Sequence, residues 1–335
     1  MKISASIYSN KIQELEELIP ELEKHHVDFF HIDCNDDISV FEDIRRIREI
    51  SDTPIDLHVI SPEPGKFFEL IEEHQIEMTS FQYENLTEKL IVPESINTKV
   101  GMAIVSDTPV TIFEEYVDEL SFILFMATTP GESGGDFNKN NFKKIREFRG
   151  LFPSIKIHVD GGVNNEVSFI LRNMGVFAAV TGSYLMNSHS IGAAMLNLKS
   201  DNSESKFSIG DFMLGKDEIP VLNTESLNFV DVLQSIEDYK LGFTILTNGD
   251  GRLKGIISNA DVRKGLLKNK SDFNNLPLDD MINVNPVCVN ETQTVKDLLD
   301  IIKSKNFPIL FVPVLNDNKE PVGVVKFNNL IKGES

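Results

Sequence analysis

The chain has 335 residues, 41% hydrophobic and 25% charged, with a formal net charge of −20 and a pI near 4.8. That length suits two domains, and the composition is that of an ordinary globular protein. The acidic balance argues against a nucleic-acid partner, because phosphate backbones are bound by basic surfaces. No apolar run approaches the roughly 20 residues needed to span a bilayer. Met1-Lys2-Ile3-Ser4 enters a strand pattern directly, without the apolar core of a signal peptide. Cys34 and Cys288 are far apart, which argues against a disulfide scaffold or a cysteine-rich zinc site and fits a reducing cytoplasm.

From residue 1 to about 198, strand patterns alternate with helical ones. Strands are expected at 2–8, 28–34, 54–60, 77–83, 99–105, 121–128, 156–161 and 177–182. Amphipathic helical spacing occurs over Lys11 to Lys24, Phe41 to Ile50, Lys66 to His74, Asn141 to Phe148 and Glu166 to Met174. Ser188 to Leu198 reads as the eighth helix. Eight βα units in about 200 residues predict a closed (β/α)₈ TIM barrel of the α/β class. An open doubly wound sheet is the alternative, because periodicity does not show closure. In both, functional groups belong at the carboxyl ends of the strands.

The polar, serine-rich run 199–206 reads as a linker. Residues 207–335 then hold an internal repeat, with copies at 207–268 and 277–333. The first copy has a helical run Phe229 to Lys240, apolar Phe243 to Leu246, the turn Asn248-Gly249-Asp250-Gly251, and Leu253 to Asp261. The second has Val295 to Lys305, Ile309 to Val312, a polar turn Asn316 to Glu320, and Pro321 to Val325. Asn-Gly and Asp-Gly steps are hairpin signals. Two such copies make one compact, smaller α+β module, not a solenoid.

Four chemistry-bearing residues fall at strand ends of the expected barrel. His31 and Asp33 are two apart on one strand and so share a face. His58 ends Ile55-Asp56-Leu57-His58, and Asp160 ends the seventh strand. Two imidazoles and two carboxylates suit zinc, iron or manganese. Asp56, on the same side as His58, either orients a ligand or is a polar core residue. Cys34 alternates away from the His31/Asp33 face and reads as a core thiol. Gly161 and Gly162 open a turn into a helix, and Thr181-Gly182-Ser183 ends the next strand. Such glycine turns bring backbone N–H groups to an anion and form two halves of a phosphate cradle.

These residues carry a resemblance. Lys2-Ile3-Ser4-Ala5-Ser6-Ile7, His31-Ile32-Asp33, Asp56-Leu57-His58, Gly101-Met102-Ala103-Ile104, Met126 with Pro130-Gly131 and Gly134, Val159-Asp160-Gly161-Gly162-Val163 and Gly182-Ser183 occur in the order of the ribulose-phosphate 3-epimerase family. The first 198 residues resemble that family over nearly their whole length. The resemblance implies an isomerase acting on a ketose phosphate. Asp33 and Asp160 would be the acid–base pair at C3, one on each face. His31, Asp33, His58 and Asp160 would hold a divalent metal that stabilises an enediolate. Ser6, His58 and Met126 would contact substrate, while Gly134, Gly161, Gly162, Gly182 and Ser183 would hold its phosphate. The sequence departs from the family at Asn35 and Asp37, where it usually has Met and Gly in a longer loop. It departs again at Glu132, where an aromatic is usual, and at Gln82, where histidine is common. The metal and proton-transfer residues are kept while the sugar-covering shell differs. That pattern leaves an altered sugar phosphate, in activated-sugar or polysaccharide supply, as the alternative. A non-catalytic sugar-phosphate receptor is the alternative of another class.

Residues 207–333 resemble a tandem pair of CBS domains. The resemblance rests on Gly210-Asp211-Phe212-Met213 with Ile219-Pro220-Val221, on Gly255-Ile256-Ile257-Ser258-Asn259-Ala260-Asp261, on Asp280-Met281-Ile282 with Asn285-Pro286-Val287, and on Gly323-Val324-Val325. It implies an adenine nucleotide effector held by Ser258 and Asp261, or a module that serves only to dimerise. Arg263 would add a phosphate contact. The second copy has Lys326 and Asn329 at the positions of the hydroxyl and the aspartate, so one site at most is complete. Relatives of both halves self-associate, so a homo-oligomer is expected.

Overall fold

The computed structural model describes residues 1–199, 207–268, 277–305 and 309–327, which form two compact units, 1–199 and 207–327. Apart from Lys199, the expected linker lies outside the described residues.

The first unit is a closed barrel of eight parallel strands in sequence order. They are β1 (Lys2–Ser6), β2 (Phe29–Cys34), β3 (Ile55–Val59), β4 (Met78–Gln82), β5 (Lys99–Val105), β6 (Phe122–Met126), β7 (Lys156–Asp160) and β8 (Ala178–Thr181). Closure is explicit, because Lys2 to Ala5 pair with Ala178 to Thr181. This settles the open-sheet alternative. The helices are α1 (Leu15–Lys24), α2 (Val40–Arg48), α3 (Phe68–Glu73), α4 (Asn140–Leu151), α5 (Asn165–Asn173), α6 (Ser183–Met186) and α7 (Ile191–Lys199). Short 3-10 turns, Tyr83–Asn85 and Val110–Glu115, stand where α-helices would follow β4 and β5.

Several ends differ from the sequence pattern. The first strand stops at Ser6, because the chain turns into a 3-10 helix over Ile7–Ser9, closed by a Ser6 to Ser9 hydroxyl bond of 3.1 Å. The helix expected from Lys11 begins only at Leu15, since the Asn10 side chain holds the preceding turn by accepting from the backbone of Ile12 and Gln13. The pattern 121–128 ends as a strand at Met126.

Alternation sorts each strand's residues between two faces. On β2, Phe30, Ile32 and Cys34 are fully buried on the helix-facing side, with Cys34 donating to the Asp37 carbonyl at 3.3 Å. Phe29, His31 and Asp33 take the other face, into the barrel. That interior is unusually polar. Ser4, His31, Asp56, His58, Ser80 and His158 are all at most 1% exposed. His158 stacks on Phe122 at 4.3 Å and on Phe177 at 5.4 Å.

The second unit contains α8 (Ile209–Phe212), β9 (Leu214–Gly215), β10 (Val221–Asn223), α9 (Phe229–Tyr239), β11 (Phe243–Thr247), β12 (Leu253–Ser258), α10 (Asn259–Lys268), β13 (Val289–Asn290), α11 (Val295–Lys303), β14 (Phe311–Leu315) and β15 (Pro321–Lys326). The repeat is visible in the pairing. β10 runs parallel to β11, which runs antiparallel to β12, and β13, β14 and β15 do the same. Each antiparallel pair slips its register near the end of its first strand, between Leu246 and Thr247 and between Val314 and Leu315. α9 and α11 both open on capping boxes, Asn228 with Asp231 and Thr294 with Asp297. β9 joins the far edge of the second sheet through β15, tying the start of this unit to its end.

Candidate active site

The carboxyl ends of β2, β3 and β7 bring His31, Asp33, His58 and Asp160 together, with one ligating atom from each inside a cluster no wider than 4.8 Å. Strand register does this. Asp33 pairs with His58 across β2 and β3, and Asp160 closes β7. His31 Nε2 lies 3.4 Å from Asp33 Oδ1 and 3.6 Å from Asp160 Oδ2, and His58 Nδ1 lies 3.1 Å from Asp33 Oδ1.

The donor set can be tested for a cation. Asp56 Oδ2 faces His31 Nδ1 at 3.1 Å and also accepts from Ser4 at 2.8 Å. Against an ionised carboxylate His31 Nδ1 carries the hydrogen, so the Nε2 lone pair points into the cluster, where that buried atom has no hydrogen-bond partner. Asp56 thus orients the His31 ring. Acceptor groups converging in this way call for positive charge, either a cation or protons. Opposite ligands of a first-row divalent ion are about 4.2 Å apart, given bonds of about 2.1 Å, so a 4.8 Å cluster needs only a small inward adjustment. The residues fit a divalent cation.

Without a cation, protons answer the same acceptors. Burial would lower the His31 pKa, yet Asp56 and Asp33 raise it well above the ordinary imidazole value. Burial would raise Asp33, yet the charges and hydrogen bonds of His31 and His58 hold it far below the usual carboxylate range. Asp160 moves the other way, up to about 6, chiefly through burial, with Asp33 adding to it against the pull of His31 and His58. Without a cation, the two carboxylates of the cluster are therefore driven apart in acidity.

Beside the cluster runs a cleft lined by Ser6, Asp33, Gly134, Asp160, Gly161, Gly162, Gly182 and Ser183, all of them residues expected to contact substrate or catalyse. Gly161 and Gly162 have φ of +103° and +64°. A Cβ on Gly162 would sit 2.7 Å from Phe137 Cα, and one on Gly161 would sit 2.7 Å from the Thr128 nitrogen, so both positions require glycine. Met126 is placed differently from the expectation of substrate contact. It is 1% exposed and packs inside the barrel with Met78, Ala103, Phe122 and Leu124, and it does not line this cleft. His58 is fully buried in the cluster and is likewise off the cleft wall.

The cleft also has lining residues that the sequence pattern did not single out: Tyr8, Ser9, Thr128 and Ser133. Ser133 donates to Ser9 at 2.9 Å, so a chain of hydroxyls, Ser6, Ser9 and Ser133, joins the loop after β1 to the loop after β6. Ser9, three residues beyond Ser6, had only that spacing as a signal. Asn35, at the departure in the loop after β2, lies against Gly131 across the mouth.

In the second unit, Ser258 and Asp261 form a capping box on α10, with Ser258 Oγ donating to Asp261 Oδ2 at 2.6 Å and Asp261 N donating back to Ser258 Oγ at 3.3 Å. Both also line a cavity of about 590 Å³ shared by the two repeats, along with Arg263, Lys264, Asn283 and Lys326. Asn329 lies outside the described residues.

Comparison with known proteins agrees with this geometry. Residues 2–186 match the family model described as the ribulose-phosphate 3 epimerase family, and residues 278–334 match that of the CBS domain. The ribulose-phosphate 3-epimerase of Bacillus subtilis (strain 168) is 28% identical over 199 residues, covering 55% of this chain and 91% of that protein. That of Methanocaldococcus jannaschii is 28% identical over 214 residues, covering 59% and 90%. A solved CBS-pair protein, CBSX2 from Arabidopsis thaliana, is similar over 38% of this chain and 92% of that one, at 19% identity and a TM-score of 0.31.

Proposed function

The chain belongs to the ribulose-phosphate 3-epimerase family, with a CBS module after the barrel, and from that premise we propose a metal-dependent 3-epimerase of a ketose phosphate. Ribulose 5-phosphate and xylulose 5-phosphate are the first substrates to try. The observation that carries the reading is the convergence of two carboxylates, Asp33 and Asp160, with His31 and His58 at a cleft floored by glycine turns.

His31, Asp33, His58 and Asp160 would hold the divalent ion, which supplies Lewis acidity toward the substrate's carbonyl and hydroxyl oxygens. The backbone at Gly134, Gly162, Gly182 and Ser183 takes the phosphate, since the cleft lining offers no Lys or Arg. This anchoring presents C3 between the two carboxylates. One of Asp33 and Asp160 takes the C3 proton from one face, and the other returns a proton to the opposite face. In the reverse direction the roles exchange. Ser6 holds a substrate hydroxyl at the edge of the cluster.

The test is proton NMR of ketose phosphates in deuterium oxide with zinc, iron(II) or manganese(II) added. Solvent deuterium should enter C3 together with inversion, and Asp33→Asn or Asp160→Asn should each slow it at least 10³-fold. If deuterium enters C3 of no ketose phosphate, the epimerase reading fails. A retained sugar-phosphate affinity would then favour a receptor.

For the second unit the reading is an adenine nucleotide in the 590 Å³ cavity, which is large enough for such a ligand and carries Arg263, Lys264 and Lys326 for its phosphates.

A further inference from the structure

His31 is oriented by Asp56, whereas the outer nitrogen of His58 meets Gln82. His58 Nε2 and Gln82 Oε1 are 2.8 Å apart, both buried. We propose that Gln82 and Glu84 form a positioning pair that locks His58 in its Nε2–H tautomer and so presents the Nδ1 lone pair to the cation. The proposal rests on the metal reading above.

An amide's two ends are interchangeable in shape, so the assignment must come from its partners. Gln82 Nε2 faces the Glu84 carboxylate and, at 3.4 Å, the Ala103 carbonyl. The Ala103 carbonyl oxygen cannot donate a hydrogen bond, so the end of the amide that faces it is the NH₂. The oxygen must then face His58. An amide oxygen only accepts, so His58 Nε2 must carry the hydrogen. Nδ1, 3.1 Å from Asp33 Oδ1 inside the cluster, is then the nitrogen whose lone pair a bound cation would take. Every step follows from which groups can donate, and none depends on a titration.

Glu84 is fixed in its turn. Its Oε1 accepts from the Val105 backbone at 3.0 Å, at the end of β5, and from the Thr108 hydroxyl just beyond it. The chain of bonds therefore runs from the loop after β5, through Glu84 on the turn after β4, through Gln82, to a ligand on β3. A ligand on one strand is aimed by a residue of its neighbour, which is anchored by the strand after that.

The test reads the imidazole itself. In protein labelled with nitrogen-15 at histidine, long-range proton–nitrogen correlation distinguishes the tautomers. His58 should show protonated Nε2 at pH 8 with or without zinc. Gln82→Leu, which keeps the volume and removes the acceptor, should lose this preference and weaken zinc binding by 10- to 100-fold in competition with a chelator. Glu84→Gln, which restores a donor on the far side and lets the Gln82 amide turn over, should weaken it by a smaller factor. Gln82→Glu keeps an oxygen toward His58 and should retain the tautomer. A neutral His58 protonated at Nδ1 in the wild-type protein overturns the proposal, as does zinc affinity in folded Gln82→Leu within threefold of wild type. Failure of the wild-type chain to bind any divalent ion would count against the metal reading instead, and the tautomer measured without metal still decides the lock.

Discussion

Asp33 and Asp160 lie in one cluster, yet Asp33 stays ionised far into acid while Asp160 takes a proton at about 6. His31, with its pKa raised, also carries a proton near neutrality in the metal-free chain. A metal ligand must shed its proton first, so cation binding should release protons and strengthen as pH rises through 6. Calorimetry of zinc binding in buffers of different ionisation enthalpy checks this; an enthalpy independent of buffer at pH 6 would contradict it. The same shift has a stability sign. Asp160 has a folded pKa above the ordinary carboxylate value, so its contribution is fully present below about 4 and is lost as pH rises through about 6. Metal-free protein should accordingly lose stability, by an amount on the order of 2 kcal/mol, between those pH values, and Asp160→Asn should flatten that part of the profile. The four residues of the cluster were legible in the sequence because His58 and Asp160 end apolar runs and alternation puts His31 on the face of Asp33. Gln82 was legible only as a departure. Its role depends on β3 pairing with β4 in a register that sets His58 beside Ser80, and on a carboxylate two residues on. Met126, expected to contact substrate, pairs with Asp160 across β6 and β7 and packs among interior hydrophobics.

Glycine turns give the elements their functional geometry. The β7–α5 turn passes so close to the chain around Phe137 that Gly162 has room for no side chain, and its φ of +64° excludes most residues as well. Gly162→Ala should therefore cost about 1–3 kcal/mol, measured by chemical denaturation. It should also raise KM for a sugar phosphate more than it lowers kcat if the turn, as proposed, holds the phosphate and not the reacting carbon. Equal losses in both would place the turn in the chemistry. The turn was readable as strand, Asp-Gly-Gly and helix start because glycine's freedom and the helix cap leave local marks; Asn164 indeed accepts from the Val167 backbone at 2.9 Å. Element ends were less readable. The stop of β1 at Ser6 depends on hydroxyl bonds to Ser9 and onward to Ser133, more than a hundred residues later in sequence. Local periodicity carries no trace of such a contact.

At the scale of the whole molecule, the barrel's eight units and the second unit's repeat were both legible, because each is written as a period, of βα units in one and of paired copies in the other. Closure was not, since it depends on β1 meeting β8 across the full barrel. The function of the second unit is harder still, because Ser258 and Asp261 already satisfy each other as a helix cap. A cap alone is worth about 1 kcal/mol, so Asp261→Ala must destabilise this unit whether or not a nucleotide binds. What separates the roles is the ligand-induced change. AMP at a hundred times its Kd should stabilise the bound unit by about 2.7 kcal/mol and slow amide hydrogen exchange along β12 and α10, which line the cavity. Asp261→Ala should abolish that slowing. Asp297→Ala removes a comparable capping box on α11, whose residues do not line the cavity, and should leave it intact. If exchange in the wild-type chain is indifferent to millimolar AMP, ATP and nucleotide sugars, Ser258 and Asp261 are a cap and nothing more, and the module's contribution is architectural.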